Sequence, residues 1–293
     1  MERLRLKICL GTVQFGLNYG IEKKRIDIDE VEKILKFSLK NNITILDTAS
    51  GYGDSEIIIG NFNSHKFNII SKLDSKKLKN KNDIKELETE IEVSLKKLKT
   101  DFLDGYLLHQ AEDLKNEELI NNLYCLKEKG LIRHVGVSVY SVEEAELALK
   151  NNKIEYIQVP YNILDTRLDK INFFVKAKKL GKIIFVRSVF LQGVLLKPHN
   201  IYPKSLNELK QYDNILNEEI MRIGCTKIEY LLNFIKYNKN IDYIILGIDN
   251  LENLKEIVNC YSSNKLEKYN FENIRRKFSK LPDKILNPSL WKE

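Results

Sequence analysis

The stretch ITILDTASGYGDSE, residues 43–56, joins a short apolar run to an acid and to a tyrosine held between two glycines. Residues 43–47 read as a buried strand, because aliphatic and β-branched side chains dominate a run too short for a helix. Gly51, Tyr52 and Gly53 then mark a tight turn. The turn accounts for the glycines. It does not account for Asp47 at the end of the strand or for Tyr52 within the turn.

The same grammar recurs along the chain. Strand-like runs lie at 7–11 (KICLG), 43–47, 67–72 (FNIISK), 104–109 (DGYLLH), 134–139 (HVGVSV), 156–160 (YIQVP), 183–188 (IIFVRS) and 243–247 (YIILG). Between them lie stretches of helical period. Residues 28–42 place Val31, Ile34, Leu35, Phe37 and Ser38 near one face. Residues 84–98 repeat Ile84, Leu87, Ile91, Leu95 and Leu98 at threes and fours. A helix from 142 follows Ser141, an N-cap with Glu144 three residues on. Further helices are expected at 205–222, 226–237, 250–261 and around 265–280. Alternation of strand and helix eight times predicts an α/β fold, a (β/α)8 TIM barrel. A doubly wound sheet would want G-x-G-x-x-G after an early strand, and the sequence has none. With no Pro-, Gly- or Ser-rich linker, a single domain over residues 1–293 is expected.

Composition narrows the function classes. The chain is 43% hydrophobic and 30% charged, with 48 Lys and Arg against 41 Asp and Glu, a net +7. The basic residues are interleaved with acids, which fits solvated helix faces and argues against a nucleic-acid footprint. Cys9, Cys125, Cys225 and Cys260 lack metal spacing; Cys9 and Cys260, among apolar neighbours, read as buried thiols. No run approaches the ~18 apolar residues of a membrane span, and the N-terminus lacks a signal-peptide core, so a cytoplasmic protein is expected. His65, His134 and His199 read as surface or structural residues, and no metal site is expected.

Barrel chemistry sits at the carboxyl ends of the strands. Read in order, those ends carry Asp47 with Tyr52 in its loop, Lys72, His109, Ser138, Gln158 with Tyr161 and Asn162, and Arg187 with Ser188. Packing asks for none of these. A tyrosine hydroxyl has a pKa of ~10 in water and is a poor acid near neutrality. An adjacent ammonium stabilises the phenolate and lowers that value, and an aspartate keeps the ammonium charged and in place. Tyr52 is thereby equipped to protonate a carbonyl oxygen, with His109 orienting the same oxygen. No nucleophile with an adjacent base is evident, so hydrolysis fits less well.

With LGTVQFG (10–16), LDTASGYG (46–53), IISK (69–72), YLLHQ (106–110), IRHVGVS (132–138), IQVPYN (157–162), RSVFLQG (187–193) and ILGIDNLENLKEIV (245–258), the chain resembles the aldo-keto reductase family over nearly its whole length. The resemblance implies a (β/α)8 barrel that transfers a hydride between NADPH or NADH and a carbonyl or alcohol. It implies Asp47, Tyr52, Lys72 and His109 as the catalytic four. It further implies cofactor contacts from Ser138 and Gln158 at the carboxamide and from Arg187, Ser188, Leu191 and Gly193 around the loop over the pyrophosphate. Gly247, Asp249, Asn253 and Glu256 would lie at the adenosine end, where a helix N-terminus favours phosphate.

Four positions depart from the family pattern. Val139 replaces the usual Asn, Ile257 replaces another, and Arg187 stands where an aromatic often stacks on the nicotinamide. Asp249 stands where Ser or Arg often meets a 2′-phosphate. Asp249 would repel that phosphate and accept ribose hydroxyls, making NADH tolerated or preferred; alternatively it merely caps the following helix. The first strand begins so early that the hairpin plugging the barrel floor in many relatives is expected to be short or missing. Gln14, Phe15, Asn18, Tyr19, Gln110, Asn162 and the tail with Trp291 are expected to shape the substrate mouth. The resemblance to a bacterial branch associated with carbohydrate and surface-polysaccharide pathways implies a hydroxylated aldehyde, sugar or sugar derivative. Phe15, Tyr19 and Phe190 would equally line a slot for a small aromatic aldehyde. The rivals are a cofactor-binding sensor with little turnover and a sugar epimerase or lyase using transient oxidation. A monomer or weak homo-oligomer is expected, with neither nucleic acid nor membrane as partner.

Overall fold

The apolar runs form strands because each has two faces to bury, one against the barrel axis and one against helices. In the computed structural model, which describes residues 7–62, 64–263, 266, 269, 271–278 and 281–291, the strands are β1 Lys7–Gly11, β2 Ile45–Asp47, β3 Asn68–Leu73 and β4 Leu103–Leu108. They continue with β5 Ile132–Ser138, β6 Tyr156–Pro160, β7 Ile183–Arg187 and β8 Tyr243–Gly247. All pair in parallel in sequence order, and β1 closes on β8 from Lys7↔Tyr243 to Gly11↔Gly247. The eight-stranded barrel is the one expected, with ends shifted by a residue or two: β4 stops at Leu108, so His109 stands just beyond it.

The helices are α1 Val13–Gly16, α2 Ile28–Lys40, α3 Ser55–Asn61, α4 Ile84–Leu98, α5 Glu117–Glu128 and α6 Val142–Lys150. They are followed by α7 Phe173–Lys179, α8 Leu209–Ile223, α9 Lys227–Tyr237, α10 Leu251–Ser262, α11 Glu272–Phe278 and α12 Asp283–Leu286. The Ser141/Glu144 capping box starts α6 as its sequence predicts. Asp83 caps α4 by accepting the N–H of Lys85, and Leu87, Ile91, Leu95 and Leu98 of that helix are buried. Among the described residues of the helix expected around 265–280, 272–278 are helical; several of the others lie outside those described, as do residues 1–6 and with them the question of a floor plug. Cys9 is buried as expected, but Cys260 is only half-buried, with its Sγ 3.6 Å from the Thr226 hydroxyl. Among the described residues, no helix is long and apolar enough to cross a membrane.

Side-chain alternation fixes what the barrel presents at its mouth. Cys9, Ile45, Ile70, Leu107, Tyr156, Phe185 and Ile245 form an interior cluster separate from the large core between strands and helices. Two residues further along these strands stand Gly11, Asp47, Lys72, His109, Gln158, Arg187 and Gly247. Since strand side chains repeat every second residue, this set forms the next layer up. The polar strand ends are therefore a layer of the barrel.

Below them the floor is aromatic. His134 stacks on Tyr156 with ring centroids 4.4 Å apart, Tyr156 meets Phe185 at 5.1 Å, and Phe185 stacks on Tyr243 at 4.5 Å. Glycines make room for this row. A Cβ on Gly136 would lie 2.5 Å from the Tyr156 carbonyl oxygen and 2.8 Å from its Cβ; one on Gly105 would lie 3.0 Å from the Tyr156 ring. Replacing Gly136 with Ala should therefore overpack the floor and destabilise the protein by about 1–3 kcal/mol. This would be read as a lower urea midpoint at unchanged slope; an unchanged midpoint would show that the strands can separate without penalty.

Candidate active site

The layer of strand ends is organised around one buried ion pair. The Lys72 ammonium donates to both Asp47 carboxylate oxygens at 2.8 Å and to the Thr48 carbonyl at 2.9 Å. Lys72 is 2% exposed and Asp47 5%, so neither charge is solvated and each depends on the other. Burial pulls the Lys72 pKa down, but the Asp47 carboxylate and the Tyr52 hydroxyl together more than offset this, and the ammonium is held above its ordinary value. Gln158, fully buried on β6, donates its side-chain amide to Asp47 as well.

Tyr52 is placed by backbone packing. Its loop leaves β2 after Asp47 and returns through Ser55, whose N–H bonds the Tyr52 carbonyl at 3.1 Å. The Ser55 hydroxyl lies within hydrogen-bond range of the Thr48 and Thr12 hydroxyls (3.0 and 2.9 Å) and the Thr12 carbonyl (3.0 Å), and the Thr12 hydroxyl bonds the Asp47 carbonyl at 2.9 Å. Gly16 presses on the same loop so closely that a Cβ there would lie 1.9 Å from the Tyr52 carbonyl oxygen. Gly53 supplies the left-handed φ of 57° that the turn needs. The result sets the Tyr52 ring with its centroid 5.0 Å from the Lys72 ammonium and 5.9 Å, edge-on, from the His109 ring.

These neighbours set protonation states. Burial is the largest influence on Tyr52 and raises its pKa; the Lys72 ammonium opposes this without overcoming it. The sequence-based expectation of a lowered value is thus reversed, and the phenol keeps its proton well past neutrality. His109 is pushed down to about 4, by burial first and by Lys72 second, so its imidazole is neutral at physiological pH. The mouth thus holds the fixed Lys72 ammonium, a protonated phenol beside it, a neutral imidazole and, on β7, the Arg187 guanidinium, a set suited to donating a proton to a developing oxyanion.

A cavity of about 630 Å³ opens from Asp47 and Tyr52 across β1, β8 and β7, a size that holds small-molecule ligands. Gln14, Tyr19, Arg187, Ser188, Gly193, Gly247, Asp249, Asn253 and Glu256, all expected at the site, line it. The loops after β1 and β7 meet across it. Gln192 donates to the Tyr19 hydroxyl at 2.8 Å, Ile21 N–H reaches the Gln192 carbonyl at 3.3 Å, and Lys197 pairs with Glu22 at 2.7 Å. The β7 loop is conformationally costly, with Ser188, Leu191, Gln192 and Gly193 at φ of 62°, 49°, 53° and 85°. Such a run of left-handed residues persists where the surroundings enforce it, often at ligand clamps, and it forms backbone concavities that receive anions.

Other expected residues lie elsewhere. Leu191 is fully buried in the core, with only its backbone shaping the loop, and Phe15 is likewise fully buried. Asn162 donates to the Ser188 carbonyl at 2.9 Å and accepts the N–H groups of Leu164 and Asp165, so it ties two loops together. The Gln110 amide is used within the protein, accepting from Ser75 and donating to Asp74 at 3.3 Å. Arg187 stacks on Tyr140 at 4.1 Å and donates to the Val139 carbonyl at 2.9 Å, so one face of the guanidinium expected to stack on a nicotinamide is already covered. Trp291 donates its ring N–H to the Ile285 carbonyl and packs on the core. Ser138 is buried beside Gln158, its register partner, and Gln158 Oε1 is buried with no hydrogen-bond partner. An orphaned amide oxygen in this layer suits a ligand that brings N–H donors, a primary amide among them.

The far end of the cavity holds what the sequence did not signal. Asp249 does not cap α10. Asn250 does, accepting the Asn253 N–H at 2.8 Å, while Asp249 takes the Gln14 amide at 2.8 Å from across the barrel closure. Gln14, expected in the substrate mouth, thus reaches the opposite end.

Residues 7–278 match the family model described as the aldo/keto reductase family. The aldo-keto reductase YhdN of Bacillus subtilis is 26% identical over 61% of this chain and 57% of its own length. An NADH-specific methylglyoxal reductase of Escherichia coli is 24% identical over 52% of this chain and 54% of its own length. The chain thus spans a little over half the length of these curated relatives. The holo form of aldo-keto reductase AKR11C1 from Bacillus halodurans superposes with a TM-score of 0.75 at 21% identity, covering 94% of this chain and 92% of that one, and shares the fold.

The placement of Tyr52 by Gly16 is testable. Gly16→Ala should displace the 52–55 loop, shifting the ring resonances of Tyr52 and His109 by NMR and lowering stability by about 1–3 kcal/mol. Unchanged resonances would show that the loop is positioned by other contacts.

Proposed function

The chain belongs to the aldo/keto reductase family, and from that premise we propose that it is an NAD(P)H-linked oxidoreductase reducing a small carbonyl compound, or oxidising the matching alcohol, with Tyr52 as proton donor. The observation that carries this reading is the Lys72 ammonium, fixed by Asp47 and 5.0 Å from the centroid of the Tyr52 ring.

The residues present fit a nicotinamide dinucleotide. Gln158 Oε1, buried and unpartnered, is an acceptor for the carboxamide, with Ser138 beside it. The left-handed backbone at 191–193 suits the pyrophosphate. Gly247 lines the cavity at the β8 end, where a Cβ would come within 3.7 Å of Gln14 Oε1. Asp249, freed from capping and oriented by Gln14, is an acceptor for ribose hydroxyls, as acidic residues are in NAD sites of other folds. This favours NADH, and the similar Escherichia coli methylglyoxal reductase is named as NADH-specific. When bound, the nicotinamide supplies or accepts the hydride.

The chain's own residues handle the proton. Tyr52 holds it at neutral pH, as a phenol of ordinary pKa ~10 does and more firmly for its burial, and gives it to the carbonyl oxygen as negative charge develops there. Lys72 stabilises the phenolate left behind, and Asp47 keeps that ammonium charged and still. His109, neutral, is a hydrogen-bond donor to the same oxygen and brings no charge of its own. Tyr19 and Arg187 line the cavity and Tyr140 packs against Arg187, a rim of hydroxyls and aromatic faces that fits a small hydroxylated aldehyde or sugar derivative.

The test uses NADH with methylglyoxal and glyceraldehyde as probes. Tyr52→Phe should lower kcat by about 10²–10⁴-fold, the usual contribution of a positioned acid, while NADH binds within twofold of the wild type. Near-wild-type kcat in the variant would mean that the proton comes from another group.

A further inference from the structure

The N-terminus of α10, which follows Asp249, is closed from outside the barrel. Glu30 of α2 lies 221 positions away in sequence, and its Oε1 accepts the backbone N–H of Leu251, the first residue of α10, at 2.8 Å. Asn250 accepts the N–H of Asn253 at 2.8 Å. The donors of a helix's first turn lack intrahelical partners, and with the helix dipole they make a ready anion site. Here two of them are committed to acceptors of the chain itself, one to a full carboxylate. The Leu251 N–H holds Glu30 below the usual carboxylate range, with Lys33 adding to the effect, so the group is charged at neutral pH.

The surrounding charges do not reverse this. Asp249 precedes the helix, and Glu252 and Glu256 lie within it. The nearby cations are already engaged, Lys33 at 3.3 Å from Glu30 and Lys255 at 2.7 Å from Glu252. Along the cavity, Lys24 and Lys197 pair with Glu22, Arg25 pairs with Asp54, and Lys227 pairs with the buried Asp213. Arg187 stands at the far end, where it donates to the Val139 carbonyl and stacks on Tyr140. A phosphate arriving at α10 would meet carboxylates, with the Leu251 and Asn253 N–H groups already taken.

We propose that Glu30 is a specificity-determining residue, a built-in anion at the α10 N-terminus that excludes the 2′-phosphate and, with Asp249, selects NADH over NADPH. The inference rests on the nicotinamide reading above but adds a residue outside the cavity, acting through the helix and not by touching the nucleotide.

Calorimetric titration of the purified full chain with NADH and NADPH tests it, on wild type, Glu30→Gln and Glu30→Ala. Glutamine keeps an acceptor for Leu251 and removes only the charge. Wild type should bind NADH at least about tenfold tighter than NADPH. E30Q should narrow that ratio by about two- to fivefold, the range expected for one charge at a helix terminus, through tighter NADPH with NADH changed less than twofold. E30A, which also frees the N–H, should narrow it at least as much. Raising the salt should shrink the difference between wild type and E30Q. An unchanged ratio in E30Q with NADH binding intact would overturn the role of Glu30 and leave the nicotinamide site standing. A wild type that prefers NADPH would overturn the selectivity itself. Binding of neither cofactor by a wild type that melts cooperatively would overturn the nicotinamide reading and the inference with it.

Discussion

The rest of the site depends on the Asp47–Lys72 pair, two opposite charges buried at the second and third strand ends with 2.8 Å contacts. Removing one partner of a buried pair leaves an uncompensated charge and costs roughly 3–5 kcal/mol, so neither side chain is free to drift. The pair also fixes the electrostatics of its neighbours. Lys72 lowers the pKa of His109 and opposes the upward push of burial on Tyr52, while Asp47 acts oppositely on both. The mouth therefore keeps a protonated phenol and a neutral imidazole around a single fixed ammonium.

Around that pair, the protein uses packing where hydrogen bonds would be too compliant. Gly16 and Gly53 bring two backbones close enough to set the Tyr52 loop, and the Thr12–Ser55–Thr48 hydroxyls lock its far side. The aromatic row from His134 to Tyr243 fills the floor, so the mouth rests on a rigid layer. The strained β7 loop and the β1 loop meet over the cavity through Tyr19, Gln192, Glu22 and Lys197. Sequence-distant contacts thus supply the rigidity that a proton-donating site needs.

The barrel was legible in the sequence because strand and helix patterns alternate eight times, and its polar layer because strand side chains repeat with a period of two. Once the interior residues Ile45, Ile70 and Leu107 are recognised, Asp47, Lys72 and His109 follow two positions later on the same face. What alternation cannot encode is which of several polar residues at a loop will find a partner. Asp249 and Asn250 are both good caps by type, and only the fold decides that Asn250 caps while Asp249 turns to Gln14, 235 positions away in sequence. The same holds for Glu30 at α10. Asn162, Gln110 and Arg187 read as groups facing a ligand because they stand at strand ends, yet each has polar atoms engaged within the protein. Thr12, in contrast, stands within LGTVQFG, where nothing in its type separates a threonine that braces the Tyr52 loop from one that merely packs.

The claim at the centre of this account is that burial, reinforced by the buried ammonium of Lys72, holds the adjoining imidazole neutral. An NMR pH titration of the four histidines, with His109 assigned by loss of its signal in His109→Asn, tests it directly. The account predicts that His109 titrates near about 4, and that Lys72→Met, which removes a cause of the depression and leaves Asp47, moves its midpoint upward. A His109 midpoint near its ordinary value of ~6.5, indifferent to Lys72, would contradict it.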